Sequence, residues 1–142
     1  MTIPNARILA VALLVFPVIA MAELPRLTVN VTGAEPATGT LEISVFDSEE
    51  KFLREIFLQK KCRPEEDGTC TVEFAAVTEG EYAVAVIHDA NDNKKLDNGF
   101  LGFGAERFGF SNNPSRPWFG RNSFDDAKFS LTESTVIQVD LD

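Results

Sequence analysis

The sequence predicts a mainly β fold, an antiparallel β-sandwich carrying one short helix and one long irregular loop. Several short segments alternate apolar and polar residues with period two, the pattern of strands with one buried face. Gly, Pro, Asn and Asp cluster between them as turn signals. A further run, Glu81 to Ile87, is apolar on both faces and fits a central strand covered from both sides. Short strands with a single small helix bury their apolar faces most simply as two stacked sheets.

The first segment precedes the fold. Arg7 supplies a positive charge, Ile8 to Ile19 is almost wholly apolar, and Ala20-Met21-Ala22 offers small residues for cleavage, which together read as a signal peptide over residues 1–22. The apolar run is short for a bilayer span, and no second run of that kind follows. The expected mature protein therefore starts at Glu23, carries no integral membrane segment and works in the periplasm or outside the cell. Residues 23–142, roughly 120 of them, suffice for one domain with a single core. The net charge of −9 repels phosphate backbones and anionic headgroups, which argues against nucleic acid as a partner.

Leu27, Val29 and Val31 alternate with Thr28, Asn30 and Thr32 to give the first strand. Gly33 to Gly39 is turn-rich, and Leu41, Ile43 and Val45 then mark a second strand, most simply paired antiparallel with the first. From Asp47 the pattern changes. Phe52, Leu53, Ile56 and Phe57 recur at helical spacing, and Asp47 with Glu50 resembles a capping box, so a short helix is expected here. Cys62 and Cys70 flank a stretch with Pro64 and Asp67-Gly68 turn chemistry. In an oxidising compartment they pair, and closing so short a loop contributes about 2–3 kcal/mol by restricting the unfolded chain. Thr71 to Phe74 and Glu81 to Ile87 give two more strands. The stretch from Asp89 to Asp126 has no clear periodicity and is rich in Gly, Asn, Pro and aromatics. Phe129 with Leu131 suggests a short strand, and Ile137, Val139 and Leu141 a closing one.

The chemistry concentrates at the start of the long loop. Asp89, Asn91 and Asn93 stand at alternate positions, Lys95 follows with its carbonyl, and Asp97 comes next, the offsets at which a calcium loop presents its oxygens. Leu96 fits the apolar anchor between the last two. The bidentate acid that usually ends such a loop would fall at Phe100, so the shell must be completed from elsewhere. Glu106, just beyond the Gly-rich turn Gly102-Phe103-Gly104-Ala105, is the nearest downstream acid, and Asp92 or an acid from Asp125-Asp126 could substitute. A competing reading needs no ion, since Asn and Asp also build side-chain-to-backbone turns. With few carboxylates among its ligands, a calcium site of this composition suits extracellular calcium at about 0.1–1 mM.

Beside this loop the succession "FDSEEKFL", "EGEYAVAVIHDANDNKKLDNGFLGFGAERFGFSNN" and "SFDDAKFSL" resembles domain-of-unknown-function family 2141, small secreted bacterial proteins. The resemblance covers most of the mature chain and implies a transthyretin-like or immunoglobulin-like sandwich, without an activity. Where the family usually has Gly, this chain has Lys94, which must then adopt a conformation glycine accepts more easily.

Other chemistry is less well supplied. His88 is the only histidine, and ending a buried strand it is expected to hydrogen-bond across the loop. Ser111 lacks the second glycine of a nucleophile elbow and is not followed by a histidine. Acids that hold calcium stay ionised and cannot serve as the protonated partner in glycoside hydrolysis. A non-catalytic structural or binding role in the cell envelope is thus the first expectation, with a hydrolase using the loop acids as one alternative and a metal-free glycan- or protein-binding module as another. Arg116, Trp118 and Phe119 form the candidate surface for an envelope protein or glycan, because Trp and Arg suit surfaces with an apolar centre and a wet rim.

Overall fold

The computed structural model describes residues 23–94, 106–115 and 122–142. The expected signal peptide at 1–22, Lys95, Asp97, Arg116, Trp118 and Phe119 lie outside the described residues. Within them the chain is mainly β. The elements are β1 (Leu27–Thr32), β2 (Thr40–Phe46), β3 (Leu58–Cys62), β4 (Cys70–Phe74), β5 (Gly80–Asp89), β6 (Phe108–Phe110), α1 (Phe124–Ala127), β7 (Phe129–Leu131) and β8 (Thr135–Asp140). Among the described residues no helix is long and apolar enough to cross a membrane.

Two sheets face one another. One has the order β4-β1-β8, the other β3-β2-β5-β6, with β7 also pairing β5. The alternation in β1 puts Leu27, Val29 and Val31 on a fully buried inner face, and Leu41, Ile43 and Val45 of β2 meet them from the opposite sheet together with Val84 and Val86 of β5. Burying each such side chain is worth about 1.5–3 kcal/mol relative to exposure, so this layer is the main source of stability. β5 is apolar on both faces because a second, smaller core covers its back. Ala83 and Ala85 lie under Phe46, Phe52, Phe124 and Ala127, with Phe110 alongside. The rings of Phe46 and Phe52 meet edge to face at 5.3 Å, a favoured aromatic geometry.

The two sheets are joined along both margins. On one side the Cys62–Cys70 disulfide, S–S 2.03 Å, links the end of β3 to the start of β4, as the cysteine spacing predicts. On the other side Asn113 Oδ1 accepts from the Asp140 amide at 2.8 Å. Gly109 of β6 permits the approach, since a Cβ there would stand 2.9 Å from Val139 Cγ1 of β8.

Two expectations are corrected. β1 and β2 are not a hairpin pair: β1 pairs antiparallel with β4 and parallel with β8, whereas β2 pairs with β3 and β5. Residues 33–39 carry the chain from one sheet to the other, so consecutive alternating strands face each other across the core. The helix expected after Asp47 is also absent. Residues 49–54 form turns, and Leu53 takes φ 58°, which ends any helical path. Phe52 is buried there, whereas Leu53, Ile56 and Phe57 are exposed, so the helical spacing did not mark one buried face. The Asp47 carboxylate pairs with Lys51 at 3.3 Å instead of capping a helix. The short helix of the fold is α1, where Ser123 and Asp126 make the reciprocal bonds of a capping box.

Candidate functional site

The loop with the calcium-like spacing leaves the end of β5. Because β5 is central, its last residues are held on both edges: Asp89 pairs with Thr40 of β2, and the amide of His88 donates to the Arg107 carbonyl at 2.9 Å. Asp89 is therefore a strand residue, 5% exposed, with its carboxylate fixed at the mouth of the loop.

That carboxylate organises the turn. Its Oδ1 accepts from the Asn93 amide at 3.1 Å and its Oδ2 from the Lys94 amide at 2.8 Å. The Asn91 Oδ1 accepts from the same Asn93 amide at 3.0 Å. The chain reverses around these bonds through Asp92 and Lys94, at φ 54° and 61°. Lys94 stands at the sixth loop position, where a calcium loop needs a sharp turn, so it takes the left-handed conformation that the spacing demands. Burial works to raise the Asp89 carboxyl, but the amides of Lys94 and Asn93, the Glu106 side chain and the Asp92 amide together hold it below the ordinary aspartate value.

Glu106 is 8% exposed and lies near enough to Asp89 to help hold that carboxyl below its ordinary value. The nearest downstream acid thus lies toward the acid that opens the loop. Of the six proposed ligand positions, Asp89, Asn91 and Asn93 make this turn, Glu106 is buried nearby, and Lys95 and Asp97 fall outside the described residues. Among the described residues no three His, Cys, Asp or Glu side chains form a metal-holding group. The described part of the site consists of two acids and two amides.

Sequence reasoning missed the floor of this loop. Gly39, at φ 64°, lies so close to the turn that a Cβ would fall against the Asp89 carbonyl oxygen and 2.6 Å from Ala90 Cα. Thr40 Oγ1 donates to Asp92 Oδ1 at 2.6 Å, and Arg63 stands 3.8 Å from Asp92 Oδ2. These ties turn Asp92 toward the neighbouring segments. His88 is structural: Nδ1 accepts from the Glu35 amide at 3.4 Å and Nε2 donates to the Thr38 carbonyl at 2.8 Å, the pattern of a neutral imidazole. Only the run of turn residues at 33–39 hinted at such a segment, and it carried no sign of which loop it would support.

Ser111 is fully buried and is no free nucleophile. Its hydroxyl accepts from the Val84 amide at 2.8 Å and donates to the Ala127 carbonyl at 2.5 Å, joining β5 to α1.

A family described as "uncharacterized protein conserved in bacteria", DUF2141, matches residues 29–138. No curated protein and no solved structure matches the chain.

Proposed function

We propose that this chain, which belongs to the DUF2141 family, is a non-catalytic extracytoplasmic β-sandwich whose loop after β5 binds a calcium ion. The observation that carries the reading is the meeting of Asp89 and Glu106. Two largely buried carboxyl groups this near each other favour a proton or a cation between them, because keeping both ionised side by side in a low-dielectric setting is costly. The remaining described donors, the side-chain oxygens of Asn91 and Asn93, are hard neutral ligands, which suits calcium better than softer metals. Lys95 through its carbonyl and Asp97 through its carboxylate supply the further ligands in this proposal.

The role that follows is structural: the ion fixes a long loop on a rigid sandwich. The amino-terminal segment, read as an export signal, would deliver the protein to a compartment where calcium reaches the required concentration. Arg116, Trp118 and Phe119 belong to the same loop-rich part of the sequence and are the surface proposed for an envelope protein or glycan.

The test is thermal unfolding with calcium and with a chelator. A ligand that binds only the folded state stabilises it by about 2.7 kcal/mol at a concentration one hundred times its dissociation constant. Calcium should raise the midpoint of the mature protein, and Asp89→Ala should abolish the increment. An identical midpoint in calcium and chelator would refute the reading.

A further inference from the structure

Three segments at one end of the sandwich are tied in series. The first is the turn between the two cysteines. There the Glu65 amide donates to the Thr69 carbonyl at 2.8 Å and the Gly68 amide to the Glu65 carbonyl at 3.0 Å. Asp67 Oδ1 accepts from both the amide and the hydroxyl of Thr69. The second segment, residues 33–40, rests on that turn. The Ala34 amide donates to the Gly68 carbonyl and the Ala37 amide to the Glu65 carbonyl, each at 3.1 Å. The third is the loop itself, which meets the second through the His88 ring, through Gly39 packed on the Asp89–Ala90 backbone, and through Thr40 on Asp92. Arg107, next to Glu106, also donates to the Gly33 carbonyl at 2.5 Å. Asp89 therefore stands on residues 33–40, the neighbour of Glu106 is tied to their start, and residues 33–40 stand on the disulfide turn.

We propose that the Cys62–Cys70 bridge is coupled to the conformation of the Asp89 loop through residues 33–40, making the loop a redox-sensitive ion site; the calcium part rests on the functional reading above. The cysteines sit in strands of different sheets, paired to Leu41 and Val31, so the bridge adds a covalent tie across the turn between the two sheets. A dithiol reductant breaks the S–S bond. Each cysteine sulfur takes up one electron and one proton to become a thiol, and the dithiol closes to its own disulfide. The turn then loses its covalent anchor, and its two carbonyls hold residues 33–40 less firmly. The ligand-ready arrangement of the loop is populated less, and apparent affinity falls by that fraction.

The experiment compares oxidised and dithiothreitol-reduced mature protein by calcium titration calorimetry and, without calcium, by hydrogen exchange at the Asn93 and Lys94 amides. Reduction should weaken calcium binding about fivefold or more and speed exchange at these two amides, with the β5 amides before His88 unchanged. Unchanged exchange at Asn93 and Lys94 overturns the coupling. Altered exchange in a protein that binds no calcium in either state supports the coupling and removes the ion assignment alone. Should the reduced chain lose its fold, oxidised Asp67→Ala loosens the turn with the bridge intact. It should move the same two amides in the same direction, and no change there overturns the proposal.

Discussion

Gly39→Ala concentrates the logic of the site in one methyl group. Gly39 has φ 64°, and an alanine in that region costs about 1–2 kcal/mol through its Cβ alone. The added carbon would also stand 2.6 Å from Ala90 Cα and 2.8 Å from the Ala90 carbonyl carbon. Restoring van der Waals distance moves that backbone by about 1 Å, and overpacking of this kind costs about 1–3 kcal/mol. The sum, about 2–5 kcal/mol, lowers the unfolding midpoint by roughly 8–20 °C for a chain of this size. The displaced backbone is that of Asp89 and Ala90, so the first ligand moves with it. A calcium shell tolerates ligand distances of only about 2.3–2.6 Å, and affinity should fall at least about tenfold in a calorimetric titration. Gly80→Ala is the control, because its Cβ would meet only the Tyr82 ring, at 3.4 Å or more. A Gly39→Ala protein with wild-type midpoint and wild-type calcium response would refute the claim that residues 33–40 support the loop.

Two further outcomes are expected. Ser111→Ala strips a partner from the Val84 amide and from the Ala127 carbonyl; two unsatisfied buried groups cost about 2–5 kcal/mol together, read as a lower urea midpoint at unchanged slope, and a loss below about 0.5 kcal/mol would show that water replaces the hydroxyl. Asp67, Asp89, Asp126 and Asp140 all sit below the ordinary aspartate value of 3.8, held there in three of the four chiefly by hydrogen bonds from Thr69, Ser123 and Thr32, and in Asp89 by loop amides and Glu106 that outweigh burial. Since their folded values are depressed, the stability they contribute is complete above 3.8 and is lost as pH falls through the folded values. Unfolding midpoints measured down the pH scale should hold level above roughly pH 5 and decline below it, and a profile rising toward acid would contradict the sign.

Most of the sandwich was legible because burial writes a period into the sequence. Leu27, Val29 and Val31 could only be one face of a strand, and the doubly apolar run ending at Ile87 could only be central. β3 was invisible for the complementary reason. Leu58–Cys62 is an edge strand whose Gln59, Lys60 and Lys61 are exposed, and lysines that protect an edge leave no alternation. Partner choice was not legible either, since nothing in β1 says that its neighbours are β4 and β8 and not β2. At the site, loop offsets and the nearest downstream acid pointed to Asp89, Asn91, Asn93 and Glu106. Gly39, Thr40 and Arg63 act on that loop through long-range contacts, which a local pattern does not encode.

The central proposal is that a calcium ion is held between Asp89 and Glu106, and titration calorimetry of oxidised protein lacking residues 1–22 tests it most directly. The account predicts a single site per chain with a dissociation constant of about 0.1–1 mM and loss of most of that affinity in Glu106→Gln, which keeps the shape and removes the charge. No heat of binding at millimolar calcium, or a Glu106→Gln titration superimposable on the wild type, would contradict it.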